Sequence, residues 1–143
     1  MTVELNHTIV AAHDKKTSAR FLADILGLEV SPPYGPFIPV QIPNGVTLDY
    51  MDAVGSIPPQ HYAFLVSEDD FDTIFARVQD AGLTYWADPY HRRVSEINTN
   101  DGGRGTYFED PNGHSLEILT RPYGSGERGA GVGAAVGTPA GFP

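Results

Sequence analysis

Two stretches of the chain alternate apolar and polar positions in the manner of half-buried strands. They are Leu5-Asn6-His7-Thr8-Ile9-Val10 and Gln60-His61-Tyr62-Ala63-Phe64-Leu65-Val66. Each is followed by a segment whose apolar positions return every three to four residues, which predicts an amphipathic helix. The first helix runs from Thr17 to Gly27, with Phe21, Leu22, Ile25 and Leu26 on one face. The second runs from Asp69 to Gly82, with Phe71, Ile74, Phe75 and Val78 at positions i, i+3, i+4 and i+7. Gly27 and Gly82 suit the left-handed residue just past a helix end. Asp14 and the Ser67-Glu68-Asp69-Asp70 stretch supply N-cap signals.

Later in each half the same phrase returns. Pro43-Asn44-Gly45-Val46-Thr47-Leu48-Asp49 reads against Pro111-Asn112-Gly113-His114-Ser115-Leu116-Glu117, a tight turn leading into a strand. From the strand histidine to the helix-ending glycine is 20 residues in the first half and 21 in the second. The pattern therefore predicts a duplicated unit of strand, helix and further strands, with a carboxylate on the last strand. Acids are poor strand formers, so a matched pair of them in strands calls for a reason. Strand parity gives one. Leu48 and Tyr50 share one face of their strand, as Leu116 and Ile118 do of theirs, whereas Asp49 and Glu117 lie on the opposite face beside a small hydroxyl residue. With the apolar faces under the helices, both acids point to the concave side, where His7 and His61 from matched strands also fit.

Composition narrows the possibilities further. A chain of 143 residues is expected to form one domain, burying on the order of two thirds of its unfolded surface. That domain spans residues 1–122, with one module at about 3–55 and the other at about 58–122. Residues 123–143 are rich in Gly, Ala and Pro and are expected to form a flexible tail. Eighteen acids against nine basic residues give a net charge of −9, which argues against a nucleic-acid face. There is no cysteine, so disulfides, thiolate metal sites and cysteine nucleophiles are excluded. No apolar run is long enough for a membrane span, and the first residues lack a leader pattern, so the expected compartment is the cytoplasm.

Two imidazoles and one or two carboxylates converging in a cleft suit one divalent metal ion, with Fe(II), Zn, Ni, Co and Mn all compatible. Any one of these four residues alone reads as an ordinary strand position. Their recurrence at matched places in both halves is what points to a site.

In these residues the chain resembles the vicinal oxygen chelate superfamily, which holds glyoxalase I, extradiol dioxygenases, fosfomycin-resistance enzymes and bleomycin-resistance proteins. The likeness runs over about residues 3–122 and rests on His7, on Phe21-Leu22-Ala23-Asp24-Ile25-Leu26-Gly27-Leu28, on His61, and most specifically on Tyr107-Phe108-Glu109-Asp110-Pro111-Asn112-Gly113-His114-Ser115-Leu116-Glu117. It implies an α+β fold of two tandem βαβββ modules whose sheets curl around a metal-binding cleft, commonly in a homodimer. It also implies metal ligation by His7, His61 and Glu117, with Asp49 as fourth ligand or catalytic base. Asp49 is one methylene shorter than the glutamate of glyoxalase I. Tyr107 stands ten residues before Glu117, the spacing of a catalytic tyrosine in extradiol dioxygenases, but no histidine lies between His13 and His61 to serve as their acid–base residue. No basic cluster stands ready for glutathione carboxylates or a phosphonate.

The resemblance thus implies a metal-dependent enzyme acting on a small substrate that chelates the metal through adjacent oxygens, by lyase, isomerase or Fe(II) dioxygenase chemistry. The alternative is a non-catalytic protein of the bleomycin-resistance type that sequesters a drug in the same cleft. Trp86, the sole tryptophan, and Tyr90 are candidate substrate contacts at the cleft mouth, and Arg104, near the tip of an expected hairpin at Asp101–Gly105, is a candidate clamp for an anionic substrate. His13 and His114 read as packing or capping residues.

Overall fold

The computed structural model describes residues 1–126. The expected flexible tail therefore lies, from residue 127 onward, outside the described residues. Its first residues are tied down: Gly124 and Gly126 donate backbone N–H groups to the Asp101 carboxylate. The chain divides into two compact units. Unit 1 comprises Met1–Pro59 with Asp110–Asn112, and unit 2 comprises the remaining described residues.

Unit 1 holds β1 (His7–Ala12), α1 (Lys15–Leu26), β2 (Ile38–Gln41) and β3 (Thr47–Asp52), with sheet order β1-β3-β2. β1 runs parallel to β3 and β2 antiparallel to it. The helix begins where the sequence signals it. Asp14 accepts hydrogen bonds from the backbone of Lys16 and Thr17, and Gly27 closes the helix with φ 77°. Leu22, Ala23 and Ile25 are buried on its inner face, and α1 packs against all three strands. A fourth strand expected in this module is reduced to isolated bridges, Val30 with Val40 and Tyr34 with Phe37. Pro32 and Pro33 follow at once, and without N–H groups they cannot extend the ladder.

Unit 2 holds β4 (His61–Leu65), α2 (Glu68–Asp80), β5 (Tyr85–Trp86), β6 (Gly105–Glu109) and β7 (Ser115–Leu119) in the sheet order β4-β7-β6-β5, a complete βαβββ set. Ser67 caps α2 by accepting from the Asp70 N–H, and Gly82, with φ 71°, follows the helix end. A short 3-10 turn at Asn100–Gly102 precedes β6. The α+β class and the two helix-and-sheet repeats are as the sequence predicts.

The predicted parity holds in both acid-bearing strands. Leu48, Tyr50, Leu116 and Ile118 are buried, while Thr47, Asp49, Ser115 and Glu117 are only partly covered. Each fully buried side chain of this kind contributes roughly 1.5–3 kcal/mol relative to exposure. Gly45 and Gly113 end the two matched turns with φ 98° and 88°, a conformation strained for any residue with a Cβ. The second turn carries more than the first. Asn112 accepts from the His13 N–H and donates to the Ser18 hydroxyl, joining the Asp110–Asn112 turn to the start of α1 within unit 1.

Parity makes a sharp prediction for stability. Ile118→Ala should cost about 2–5 kcal/mol in urea unfolding, and Leu119→Ala, one residue on but on the other face, about 1 kcal/mol or less. Equal losses at the two positions would contradict the assigned faces.

Candidate functional site

In unit 2 the histidine strand and the acid strand are adjacent and parallel, with His61 opposite Ser115 and Ala63 opposite Glu117. Residues in register share a sheet face, so His61, Ser115 and Glu117 emerge together on the face opposite Leu116 and Ile118. On the other side of β7, Tyr107 stands directly opposite Glu117, and Trp86 in turn opposite Tyr107. The same face thus carries a row of Trp86, Tyr107 and Glu117, with His61 set diagonally.

The side chains interlock. His61 Nε2 lies 3.1 Å from Glu117 Oε1, and its Nδ1 lies 3.0 Å from the Ser115 carbonyl oxygen. A carbonyl has no proton to give, so Nδ1 must be the donor. Nε2 then offers a lone pair toward a carboxylate oxygen unless it carries a second proton. Two electron-rich atoms so placed are at ease only with a proton or a cation between them. A backbone acceptor that fixes the tautomer of an imidazole facing a carboxylate is the support a metal-ligating histidine requires. The pair therefore fits a divalent ion as two of its ligands.

Tyr107 completes the cluster. Its ring stacks near that of His61, with centroids 5.8 Å apart. Its hydroxyl is held well above the ordinary value of 10.0, first by burial, then by the neighbouring Glu117 charge and by the hydrogen bond between the two side chains. It is therefore a persistent donor to Glu117 and a poor proton acceptor.

Unit 1 repeats the register, with His7 opposite Thr47 and Ile9 opposite Asp49. The chemistry at the matched positions differs. His7 is exposed and its Nδ1 bonds Asn6 Oδ1 at 2.8 Å, not the acid. The shorter Asp49 has Pro39 opposite it where Glu117 has Tyr107. Among the described residues, no group of three or more His, Asp or Glu side chains gathers as a metal site.

The other candidates are placed as follows. Arg104 is engaged by acids of α2, with Nε 2.8 Å from Glu68 Oε1 and Nη1 2.8 Å from Asp72 Oδ1, and its guanidinium covers the Phe71 ring. Asn98 and Gly105 pair through reciprocal backbone hydrogen bonds and close a loop with the 3-10 turn at its tip, so Arg104 stands at the base of this loop next to β6. Trp86 stacks flat on His91, centroids 3.6 Å apart and planes 5° from parallel. His91 lies 3.7 Å from Glu109. Asp88 anchors the connecting loop by accepting from the backbones of Tyr90, Arg92 and Arg93, and Tyr90 is exposed beneath Arg92. His91 was absent from the sequence-derived candidates, since nothing local to it signals a partner five residues back. His114 is buried and accepts from the Gln60 N–H at 3.0 Å, so it serves packing as expected.

Residues 4–118 match the model of the Glyoxalase/Bleomycin resistance protein/Dioxygenase superfamily. The chain is 33% identical over 124 residues to the glutathione transferase FosA of Serratia marcescens, covering 82% of this chain and 81% of that protein. Among solved structures it is similar to oxidase ChaP-H2, with 84% identity, 89% of this chain and 100% of that one covered, and a TM-score of 0.87. It is also similar to oxidase ChaP-H1, with 65% identity, 86% and 99% covered, and a TM-score of 0.84.

The protonation of Tyr107 is open to direct measurement. In an absorbance titration at tyrosinate wavelengths, Tyr107 should ionise well above the ordinary tyrosine value of 10.0, and this late component should vanish in Tyr107→Phe. Because the folded value is raised, the linked stability is intact below about pH 10 and is lost as pH climbs toward the folded value. A titration without a late component that Tyr107→Phe removes would refute the burial and the Glu117 contact.

Proposed function

We propose, since the chain belongs to the glyoxalase/bleomycin resistance protein/dioxygenase superfamily, that it is a divalent-metal-dependent enzyme of oxidative type. His61, Glu117 and His7 are its metal ligands in this reading. The observation that carries it is the locked His61–Glu117 pair, whose facing atoms are satisfied by a proton or by a cation held between them. When bound, such an ion supplies a Lewis-acid centre for two adjacent substrate oxygens and, as Fe(II), a route to dioxygen.

The surrounding residues have distinct tasks. The Ser115 carbonyl keeps His61 in the tautomer that presents Nε2. Tyr107 holds its own proton and uses it to orient the Glu117 carboxylate. Asp49, on the equivalent strand of unit 1, is the proton acceptor. Trp86 and Tyr90 offer ring faces to a small substrate.

Two observations favour oxidative over transferase chemistry. The relatives at 84% and 65% identity are named oxidases, while the glutathione transferase stands at 33%. In unit 2, moreover, two of the arginines are engaged by acids: Arg104 with Glu68 and Asp72, and Arg93 with Glu96.

Protein purified without a histidine tag should retain or take up one divalent ion per chain. His61→Ala and Glu117→Ala should each weaken Fe(II) or Co(II) binding by more than about 100-fold, beyond the loss that outer-shell changes produce. The Fe(II) protein should consume oxygen with an ortho-diphenol probe and form no adduct from glutathione and fosfomycin; adduct formation would overturn the oxidative assignment. Mixing His7→Ala with His61→Ala protein restores binding only if the ligands come from two copies of a homodimer.

A further inference from the structure

We infer that the Ser115 hydroxyl is a ligand-binding group, donating its proton to an anionic oxygen of a small molecule held beside His61 and Glu117. The inference rests on the site reading above and adds a residue to it. Ser115 Oγ is shut off from solvent and has no hydrogen-bond partner, the one buried side-chain polar atom of the described residues in that position. Native proteins leave few such groups, because a buried hydroxyl without a partner forfeits its hydration for nothing. Its place in the sheet shows what the partner would be. Ser115 stands in register with His61 on one side and Glu109 on the other, and it shares a face with Glu117 two residues along.

The proton inventory of that face points the same way. Glu117 as a carboxylate only accepts, and the Tyr107 proton is directed at Glu117. His61 Nδ1 is spent on the Ser115 carbonyl itself. Of these four side chains, Ser115 alone has an uncommitted O–H. One residue thus serves twice: its carbonyl sets the histidine, and its hydroxyl awaits the oxygen that the histidine side of the site brings in. The repeat keeps the feature, since Thr47 occupies the equivalent place opposite His7.

The test separates the inference from the reading beneath it. Co(II) binding and then catechol binding to the Co(II)-loaded protein are followed by visible absorption in wild type, Ser115→Ala and Ser115→Thr. Ser115→Ala should bind Co(II) within about twofold of wild type, yet bind catechol about tenfold more weakly, the loss expected for a hydrogen bond to a charged oxygen. Ser115→Thr, which keeps the hydroxyl, should recover most of that affinity. The metal-free Ser115→Ala protein should melt no lower than wild type, because the change deletes an unsatisfied group. Normal Co(II) binding with unchanged catechol affinity in Ser115→Ala overturns the inference and leaves the metal site standing. A fall of more than about 4 °C in the metal-free melting temperature overturns it too, by revealing a structural partner. Failure of the wild type to bind Co(II) removes the site reading and the inference together.

Discussion

The parallel pairing of a histidine-bearing strand with an acid-bearing strand sets the terms for both units. In parallel register the side chains of paired residues share a face, and two steps along a strand return to it. His61 opposite Ser115 therefore stands diagonal to Glu117, near enough for their side chains to meet at 3.1 Å. A slip of one residue would turn Glu117 into the core and Leu116 or Ile118 out of it. The buried Leu116 and Ile118 thus guard the chemistry as well as the fold, since the same hydrophobic pattern that stabilises β7 forbids any register in which the acid is misplaced.

The duplication also supplies its own control. Both units reproduce the strand order, the parity and the His-to-acid register, yet only unit 2 brings histidine and acid into contact. Three differences account for this. Asp49 is shorter than Glu117 by one methylene, Pro39 replaces the tyrosine that orients the acid, and His7 Nδ1 bonds the neighbouring Asn6 side chain where His61 Nδ1 bonds the carbonyl of the paired strand. The scaffold is symmetric where backbone pairing dictates it and asymmetric where side-chain length and donors decide. A shared origin preserves the first; specialisation of one half requires the second.

Much of this was legible in the sequence, for a physical reason. Helix period, strand alternation, caps and positive-φ glycines are local, and each was read from a few neighbouring residues: Asp14, Ser67, Gly27, Gly113 and the burial of Leu48 and Tyr50 all stand where the pattern put them. What escaped depends on partners distant in sequence or invisible to pattern. Arg104 faces Glu68 and Asp72, more than thirty residues upstream, and so is held to α2 where the sequence suggested a loop residue open to substrate. Asn112 seemed only a turn residue, but it bonds to Ser18 across 94 residues of chain. The flat stack of His91 on Trp86 depends on a left-handed φ of 62° at His91, which no local signal announces in a non-glycine residue. The missing strand of the first module follows from Pro32 and Pro33, whose effect on hydrogen bonding was readable but whose position beside a sheet edge was not.

Relatives named for different activities on one scaffold sharpen what a family likeness can carry. Pairing and parity bring an imidazole and a carboxylate to one sheet face in each unit, and side-chain length and hydrogen-bond partners decide whether they meet. Selecting a substrate needs charges and surfaces that pairing does not furnish. Unit 2 commits Arg104 to two acids of α2 and Arg93 to Glu96, and the chain as a whole carries a net charge of −9. Freeing a guanidinium for a phosphonate would mean leaving carboxylates without partners, an exchange of one charge pair for another with little gain at an exposed site. Aromatic faces at Trp86, His91 and Tyr107 impose no such exchange on a neutral or weakly acidic ring. The electrostatics of the unit and the names of its relatives thus bear on the same proposal, oxidation of an oxygen-bearing small molecule in preference to transfer of a thiol.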